Sequence, residues 1–99
     1  MIERLGPDVS APDLDALTDL LLDAVATNAS VGFPAALSRD EAHGFWIRVV
    51  QAVKADRLIL LAARVDGRLV GTVQLGFAQF PNGRHRAEVA KLLVHSSMR

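Results

Sequence analysis

The side chain best suited to chemistry in this sequence is Glu88, within the segment Arg86 to Val94. Interpreted as a strand, that segment places Glu88 on one face with apolar neighbours, and such surroundings raise the pKa of a carboxyl group and make it a better base near neutral pH. The alternative is purely structural, with Glu88 paired to Arg84 or Arg86 at a strand end. Three apolar residues alternate with Glu88 in this pattern: Ala90, Leu92 and Val94.

Other nucleophiles and metal ligands are poorly represented. The three histidines, His43, His85 and His95, are scattered, and no two have the spacing of a metal pair, so we expect no metal. Ser96 and Ser97 follow His95 directly, and we expect no nucleophile there because adjacent residues on one turn cannot supply triad geometry. Cysteine is absent, which excludes disulfides, thiolate metal sites and a cysteine nucleophile.

Composition predicts one cytoplasmic domain. The 99 residues carry 11 basic and 11 acidic side chains, a balance that favours neither nucleic acid nor an anionic membrane as a partner. The longest apolar run, Leu58 to Ala63, is too short to span a bilayer. The segment Met1 to Pro7 lacks the basic-then-apolar pattern of a secretory signal.

Two amphipathic helices must position these residues. Ser10 offers an N-cap and Pro12 suits the first turn of one helix, while Ser38 and Glu41 form a capping box for the other. The aspartates Asp13, Asp15, Asp19 and Asp23 lie largely off the first apolar stripe, which is Leu14, Leu17, Leu21 and Val25. The second stripe is Ala42, Phe45, Trp46, Val49, Val50 and Val53.

Four strands are predicted around these helices. Ile2 to Leu5 is a short edge strand, and Arg57 to Val65 is apolar on both alternating faces, which predicts cover on each side. Asp66-Gly67 is a strong signal for a tight hairpin to the return strand, Arg68 to Phe80. The last strand is Arg86 to Val94, so three strands form an antiparallel meander.

The return strand contains three residues of special interest. Gly71 and Gly76 predict a bulge or a close approach of backbones. Gln74 has two interpretations: its amide points toward a substrate, or it lies on an ordinary exposed strand face.

The phrase Asp66-Gly-Arg-Leu-Val-Gly71 and the strand Arg86 to Val94 resemble the second hairpin and fourth strand of the GNAT superfamily of N-acetyltransferases. The run from Gly71 through Pro81-Asn-Gly83 to Val89 is similar to tabtoxin-resistance-type acetyltransferases. The resemblance covers the whole chain but only the amino-terminal half of the family's domain. It implies an α/β (α+β) fold with a mixed, mostly antiparallel sheet and two N-terminal helices. Residues 1–99 are then one truncated domain.

The resemblance also implies acetyl-CoA as cosubstrate. The triplet Leu92, Leu93 and Val94 matches the strand whose backbone pairs with the pantetheine arm, and a backbone N–H there faces the thioester carbonyl. Arg99 matches the first residue of the Q/R-x-x-G-x-G/A loop that wraps the diphosphate. The rest of that loop and the later strands have no counterpart in these 99 residues.

The activity implied is direct transfer of an acetyl group to a primary amine of a small molecule within a ternary complex. The resemblance favours Glu88 as the base, either directly or through water. Phe33 lines the substrate pocket or plugs the core, and Gln74 contacts the substrate. A tyrosine often serves as general acid late in such domains, and this sequence contains none.

The main alternative is a non-catalytic half-domain. An open hydrogen-bonding edge on the last strand would recruit a second copy or a complementing chain. A small interaction module without acyltransferase ancestry is a third hypothesis, which the regular fourth-strand phrase disfavours.

Overall fold

In the part of the chain that the computed structural model describes, two helices lie on one face of a four-stranded sheet. The description covers residues 1–27, 37–79 and 85–98, with the backbone alone for 77–79 and 85–90. None of the described helices is long and apolar enough to cross a membrane. The predicted α/β (α+β) class is confirmed. In chain order the elements are β1 (Ile2–Leu5), α1 (Ala11–Ala26), α2 (Arg39–Lys54), β2 (Leu58–Val65), β3 (Arg68–Gln79), β4 (His85–Val94) and a 3-10 turn (Ser96–Met98).

The sheet is a meander with the strand order β1-β2-β3-β4. All three pairings between described strands are antiparallel, so the parallel pairing of a mixed sheet is not among them. The turn between β2 and β3 has φ angles of 52° at Asp66 and 77° at Gly67. Positive φ at both positions is what the tight hairpin requires, which confirms the turn prediction.

Both helices begin as their capping residues predict. The Ser10 hydroxyl accepts a hydrogen bond from the Asp13 N–H at 3.3 Å. At α2 the Ser38 hydroxyl accepts from the Glu41 N–H at 3.1 Å, and the Glu41 carboxylate accepts from the Ser38 N–H at 3.1 Å. The reciprocal pair satisfies two backbone donors that the first helical turn leaves free.

One face of the sheet, here named the covered face, packs against both helices and forms the core. The predicted helical stripes supply most of the contact, and Trp46 and Leu17 are fully buried. Burial of this apolar area is the main stabilising term of the fold. The core residues are Leu17, Leu20, Leu21 and Ala24 from α1, Ala42, Trp46, Val49 and Val53 from α2, and Leu5, Leu60, Ala62, Leu69 and Leu93 from the sheet.

The opposite face, here named the bare face, is apolar but carries no described element. Leu61, Val73 and Leu92 form one cross-strand row on it. Leu92 is 59% exposed and Ile2 is 73% exposed. The prediction that β2 is covered on each side is therefore wrong for the described residues, because both helices pack on the same face. Alternation on a strand shows which faces are apolar, but it does not supply the element that covers them.

Candidate functional site

β4 is the last strand of the described sheet, and it pairs with β3 along one edge only. Just beyond β4, the His95 N–H donates to the Val70 carbonyl on β3 at 2.7 Å. Backbone groups of successive residues alternate between the two edges of an antiparallel strand. The N–H and C=O groups of Val94 and Leu92 therefore point away from β3. They form a hydrogen-bonding edge that no other described strand occupies.

The backbones of β3 and β4 approach each other closely beside this edge. A Cβ atom added at Gly71 would lie 3.1 Å from the Leu93 carbonyl oxygen, tighter than ordinary van der Waals contact. The prediction of a close backbone approach at Gly71 is thus confirmed. The close approach also agrees with the alternation of backbone groups between the two edges of β4, because it places the Leu93 carbonyl on the β3 side.

The register of β4 shifts in its middle. Gln74 is paired with Lys91, whereas the next residue of β3, Leu75, is paired with Val89. One extra residue, Ala90, is therefore inserted in β4, which is the definition of a β-bulge. A bulge or a close approach of backbones was predicted at Gly76, and the extra residue of this bulge lies on the neighbouring strand instead.

The bulge corrects the alternation proposed for Glu88. Backbone pairing places residue 88 opposite Gly76, in the row that Leu58 begins on β2. Because of the extra residue, position 88 falls out of strict alternation with Leu92. Position 88 therefore lies in a row with Gly76 and Leu58, on the opposite face of the sheet from Leu92 and Val94, with which it was expected to share a face. The central position of the new row is a glycine, which contributes no side chain.

Gln74 is not on an exposed strand face, contrary to one of its two interpretations. The side chain is 5% exposed on the covered face, and its Nε2 atom has no hydrogen-bond partner among the described residues. The same holds for the Trp46 Nε1 and Thr72 Oγ1 atoms. Buried polar groups are normally hydrogen-bonded. These three atoms can therefore form a hydrogen bond with a water molecule, a substrate or a group outside the described residues.

The row of Gln74 continues to Lys91 on β4. The Lys91 Nζ atom lies 5.4 Å from the centre of the Phe45 ring, within the range of a cation–π interaction. Phe45 in turn makes an edge-to-face contact with Trp46, with the ring centres 5.1 Å apart. Through Phe45, α2 thus contacts Lys91 on β4 as well as the core.

The end of β4 is tied to α1. The Ser96 N–H donates to Oδ2 of Asp23 at 2.8 Å, and the Ser96 hydroxyl donates to Oδ1 at 2.6 Å. Sequence reasoning placed Asp23 off the apolar stripe and missed this contact. A signal was nevertheless present, since an aspartate near the C-terminal end of a helix is disfavoured by the helix dipole.

His95 lies between β4 and the 3-10 turn. Its Nδ1 atom is 2.9 Å from the Ser97 hydroxyl oxygen, so the two residues do meet despite their closeness in sequence. The Ser97 N–H also donates to the same nitrogen at 3.1 Å. The other ring nitrogen, Nε2, lies 3.7 Å from Oδ1 of Asp23. The geometric reason given for excluding a serine nucleophile is therefore wrong, and the exclusion itself stays a prediction.

Three predicted site residues fall outside what the structure describes. Phe33 and Arg99 lie outside the described residues, and for Glu88 only the backbone is described. Their roles stay predictions. Among the described side chains no group of three or more potential metal ligands occurs.

Solved structures share this arrangement of helices and strands. A probable acetyltransferase matches with a TM-score of 0.68 and 14% identity, over 100% of this chain and 60% of the other. A ribosomal-protein-alanine N-acetyltransferase from Brucella melitensis matches with a TM-score of 0.67 and 23% identity, over 100% and 56%. An aminoglycoside acetyltransferase from an uncultured soil metagenomic sample matches with a TM-score of 0.62 and 16% identity, over 100% and 58%. No protein-family model matches the sequence.

These likenesses establish the fold. The chain spans about 60% of the length of the first of these structures, so it corresponds to part of their architecture. The resemblance to GNAT acetyltransferases seen in the sequence is confirmed at the level of the fold. We conclude that the described residues of this chain share the fold of these acetyltransferases over about 60% of the length of the first structure.

Proposed function

We propose that this chain belongs to an acetyl-CoA-dependent N-acetyltransferase that acts on a primary amine of a small molecule. The observation that carries the proposal is the unoccupied edge of β4, where the backbone groups of Leu92 and Val94 point outward. A pantetheine arm contains two amide groups, and an amide-bearing chain can pair with such an edge as an added strand. The fold likeness to acetyltransferases supports the same assignment.

The chemistry requires one base and one electrophile. A primary amine arrives as an ammonium ion, so Glu88 first removes a proton, directly or through a water molecule. The amine nitrogen then attacks the thioester carbonyl carbon, the carbon–sulfur bond breaks, and the CoA thiolate leaves and takes up the proton that the attacking nitrogen loses as the amide forms. An outward N–H of β4 stabilises the oxyanion that forms during attack. Gln74 and Phe33 contact the amine substrate.

The edge can be tested with proline, which removes a backbone N–H. In Leu92→Pro the lost N–H is one that points away from β3, so the sheet keeps its ladder. We expect the intact protein to bind acetyl-CoA about tenfold more weakly, the effect of one hydrogen bond to a polar ligand. Leu92→Ala keeps the N–H and should bind like the wild type. Titration calorimetry measures both affinities.

Equal affinity of Leu92→Pro and the wild type would contradict pairing at this edge. Thermal unfolding of each variant shows whether the proline has disturbed the sheet. If it has, Val94→Pro repeats the test at the other outward N–H.

The base is tested by Glu88→Gln in the intact protein. Glutamine keeps the size of the side chain but cannot accept a proton, so turnover should fall most near neutral pH, where the substrate is an ammonium ion. At high pH the free amine is more abundant and the rate difference should narrow. Rates that are unchanged across the pH range would remove Glu88 from the mechanism.

A non-catalytic half-domain is the second candidate, and the bare face favours it. An apolar surface of this kind marks a contact site when it remains exposed. In this case the chain alone should show no heat with acetyl-CoA and should form dimers whose population rises with concentration in sedimentation experiments. A monomer that binds acetyl-CoA would exclude this candidate.

A further inference from the structure

We propose that His95 makes the turn after β4 sensitive to pH: the turn is closed on the neutral imidazole ring and opens locally when the ring takes up a second proton. This property is independent of the function proposed above. The turn is Ser96–Met98, directly after His95, and the His95 side chain is 21% exposed. Each step below concerns atoms of described residues.

The Nδ1 atom of His95 is a hydrogen-bond acceptor in this structure. The Ser97 backbone N–H donates to it at 3.1 Å, and the Ser97 hydroxyl oxygen lies 2.9 Å from the same nitrogen. A backbone N–H can only donate, so Nδ1 must present its lone pair. A neutral imidazole has one donor nitrogen and one acceptor nitrogen. The hydrogen-bond network therefore assigns a neutral ring with its proton on Nε2.

Charged groups from two elements face Nε2. On α1, Oδ1 of Asp23 lies 3.7 Å away, and Asp19, which is bound by Arg39 at 2.6 Å, lines a cavity of about 200 Å³ together with His95. On β3, Nη2 of Arg68 lies 3.4 Å from Nε2. Asp23 favours a positive charge on the ring and Arg68 disfavours it, so the two act in opposite directions.

Protonation changes the ring at Nδ1, where the turn is attached. In the imidazolium both nitrogens are donors. The Ser97 hydroxyl can rotate and accept the new N–H, but the Ser97 backbone N–H cannot reverse its direction, and its bond is lost. Imidazole changes its charge between about pH 5 and 8. The bond is therefore complete on the alkaline side of that range, where the ring is neutral, and it is lost as the pH falls.

The opening is confined to the end of the turn. The His95 N–H donates to the Val70 carbonyl at 2.7 Å, and this bond does not involve the ring. Ser96 is held by Asp23 through its N–H at 2.8 Å and its hydroxyl at 2.6 Å, again without Nδ1. Protonation should therefore loosen residues 97–98 and leave residues 95 and 96 in place.

Nuclear magnetic resonance of the ¹⁵N-labelled intact protein tests the assignment directly. Near pH 8, Nδ1 of His95 should resonate as an unprotonated nitrogen and should show a scalar coupling to the Ser97 nitrogen across the N–H···N bond. By about pH 5 the coupling should vanish. Protection of the Ser97 amide against hydrogen exchange, corrected for intrinsic exchange, should fall about tenfold, the effect of one hydrogen bond. A neutral ring with its proton on Nδ1, or a coupling that survives protonation of the ring, would overturn the proposal.

His95→Asn separates the acceptor from its titration. The asparagine side-chain oxygen can accept the N–H of the second residue after it, as in an Asx turn, and it does not change charge with pH. The Ser97 amide should then keep its protection from pH 8 to about pH 5. His43→Asn removes an exposed imidazole from α2 and should behave like the wild type. A tenfold loss that persists in His95→Asn would contradict the role of the ring.

Arg68→Gln tests the environment of the ring without touching a bond of the turn. Arg68 is exposed, and its removal takes away the cation that disfavours a charged ring, so the midpoint of the Ser97 transition should move to higher pH. Arg57→Gln is the matched control, because Arg57 is exposed and adjoins Leu58, which pairs with Gly76 at the far end of β3 from Val70. A midpoint that is unchanged in Arg68→Gln, or that moves equally in both variants, would show that the titrating group is not the His95 ring.

Discussion

The covered and bare faces of the sheet are built from the same strands but differ in what packs against them. Leu60 and Leu61 are neighbours on β2, yet Leu60 is fully buried under the helices and Leu61 lines the groove of the bare face. Their side chains are identical, so the contrast comes only from what packs above each face. The apolar pattern on both faces indicates that both are suited to burial.

The two edge strands of the sheet differ in length. β1 pairs with β2 through four residue pairs, and the chain terminus adds an N–H bond to the Arg64 carbonyl at 3.0 Å. β4 is ten residues long, and the outer edges of both strands have no described partner. The bare face and the open edge meet at Leu92.

The largest expected effect tests the contrast between the faces directly. Leu60→Ala should lower the free energy of unfolding by about 2–5 kcal/mol, because it leaves a cavity in the core. Leu61→Ala in the 99-residue chain should cost less than about 1 kcal/mol, since its side chain is only partly buried. Urea unfolding monitored by circular dichroism measures both.

The Leu60→Ala and Leu61→Ala variants can also be compared in a longer protein that contains this chain. If further residues cover the bare face there, the effect of Leu61→Ala should rise toward that of Leu60→Ala. Equal effects already in the 99-residue chain would show that the bare face is covered by something else, such as a second copy.

A smaller effect is expected from Gly71→Ala, on the strand pair that borders the open edge. The added Cβ would lie 3.1 Å from the Leu93 carbonyl oxygen, so β3 and β4 must separate slightly, at a cost of about 1–3 kcal/mol. Gly6→Ala is the control, because nothing lies within 4 Å of its added Cβ. Chemical denaturation of both variants checks this, and similar midpoints would refute the tight approach of the two strands.

The next effect concerns the helix that covers one face. Ser38→Ala removes the hydroxyl half of the capping box of α2 and should destabilise the chain by about 1 kcal/mol. Ser97→Ala, in the exposed turn, removes a hydroxyl that is not part of a helix cap and serves as a comparison. Thermal unfolding measures both variants, and a midpoint of Ser38→Ala equal to that of the wild type would show that the capping box adds no stability.

The smallest effect is a pH dependence at the same cap. Hydrogen bonds from the Ser38 backbone N–H and side chain lower the pKa of Glu41 from its ordinary value of 4.5. A group with a lowered pKa stabilises the folded state above its unfolded pKa, and this stabilisation is lost as the pH falls through the folded pKa. Glu41→Gln should therefore be less stable than the wild type at neutral pH, with a difference that shrinks below pH 4.5. A difference that is constant with pH would contradict this assignment.

Local sequence determined the helices, the hairpin and their ends. The capping box at Ser38 and Glu41 and the turn at Asp66-Gly67 depend on residues within three positions of one another. The αL residue that ends α2 gave no clear signal, because the position is filled by Asp56, with φ of 57°, rather than by glycine. The acetyltransferase fold followed from element order and two short phrases.

Tertiary structure decided the details of the site. The bulge at Ala90, which moves position 88 into the row of Gly76, depends on how β4 fits against β3. The bonds between Asp23 and Ser96 join residues 73 positions apart, and no local pattern encodes such a distance. Sequence periodicity reports which side chains can be buried, since that follows from backbone geometry within one element. Which face is covered, and which edge stays open, depends on how the elements pack together.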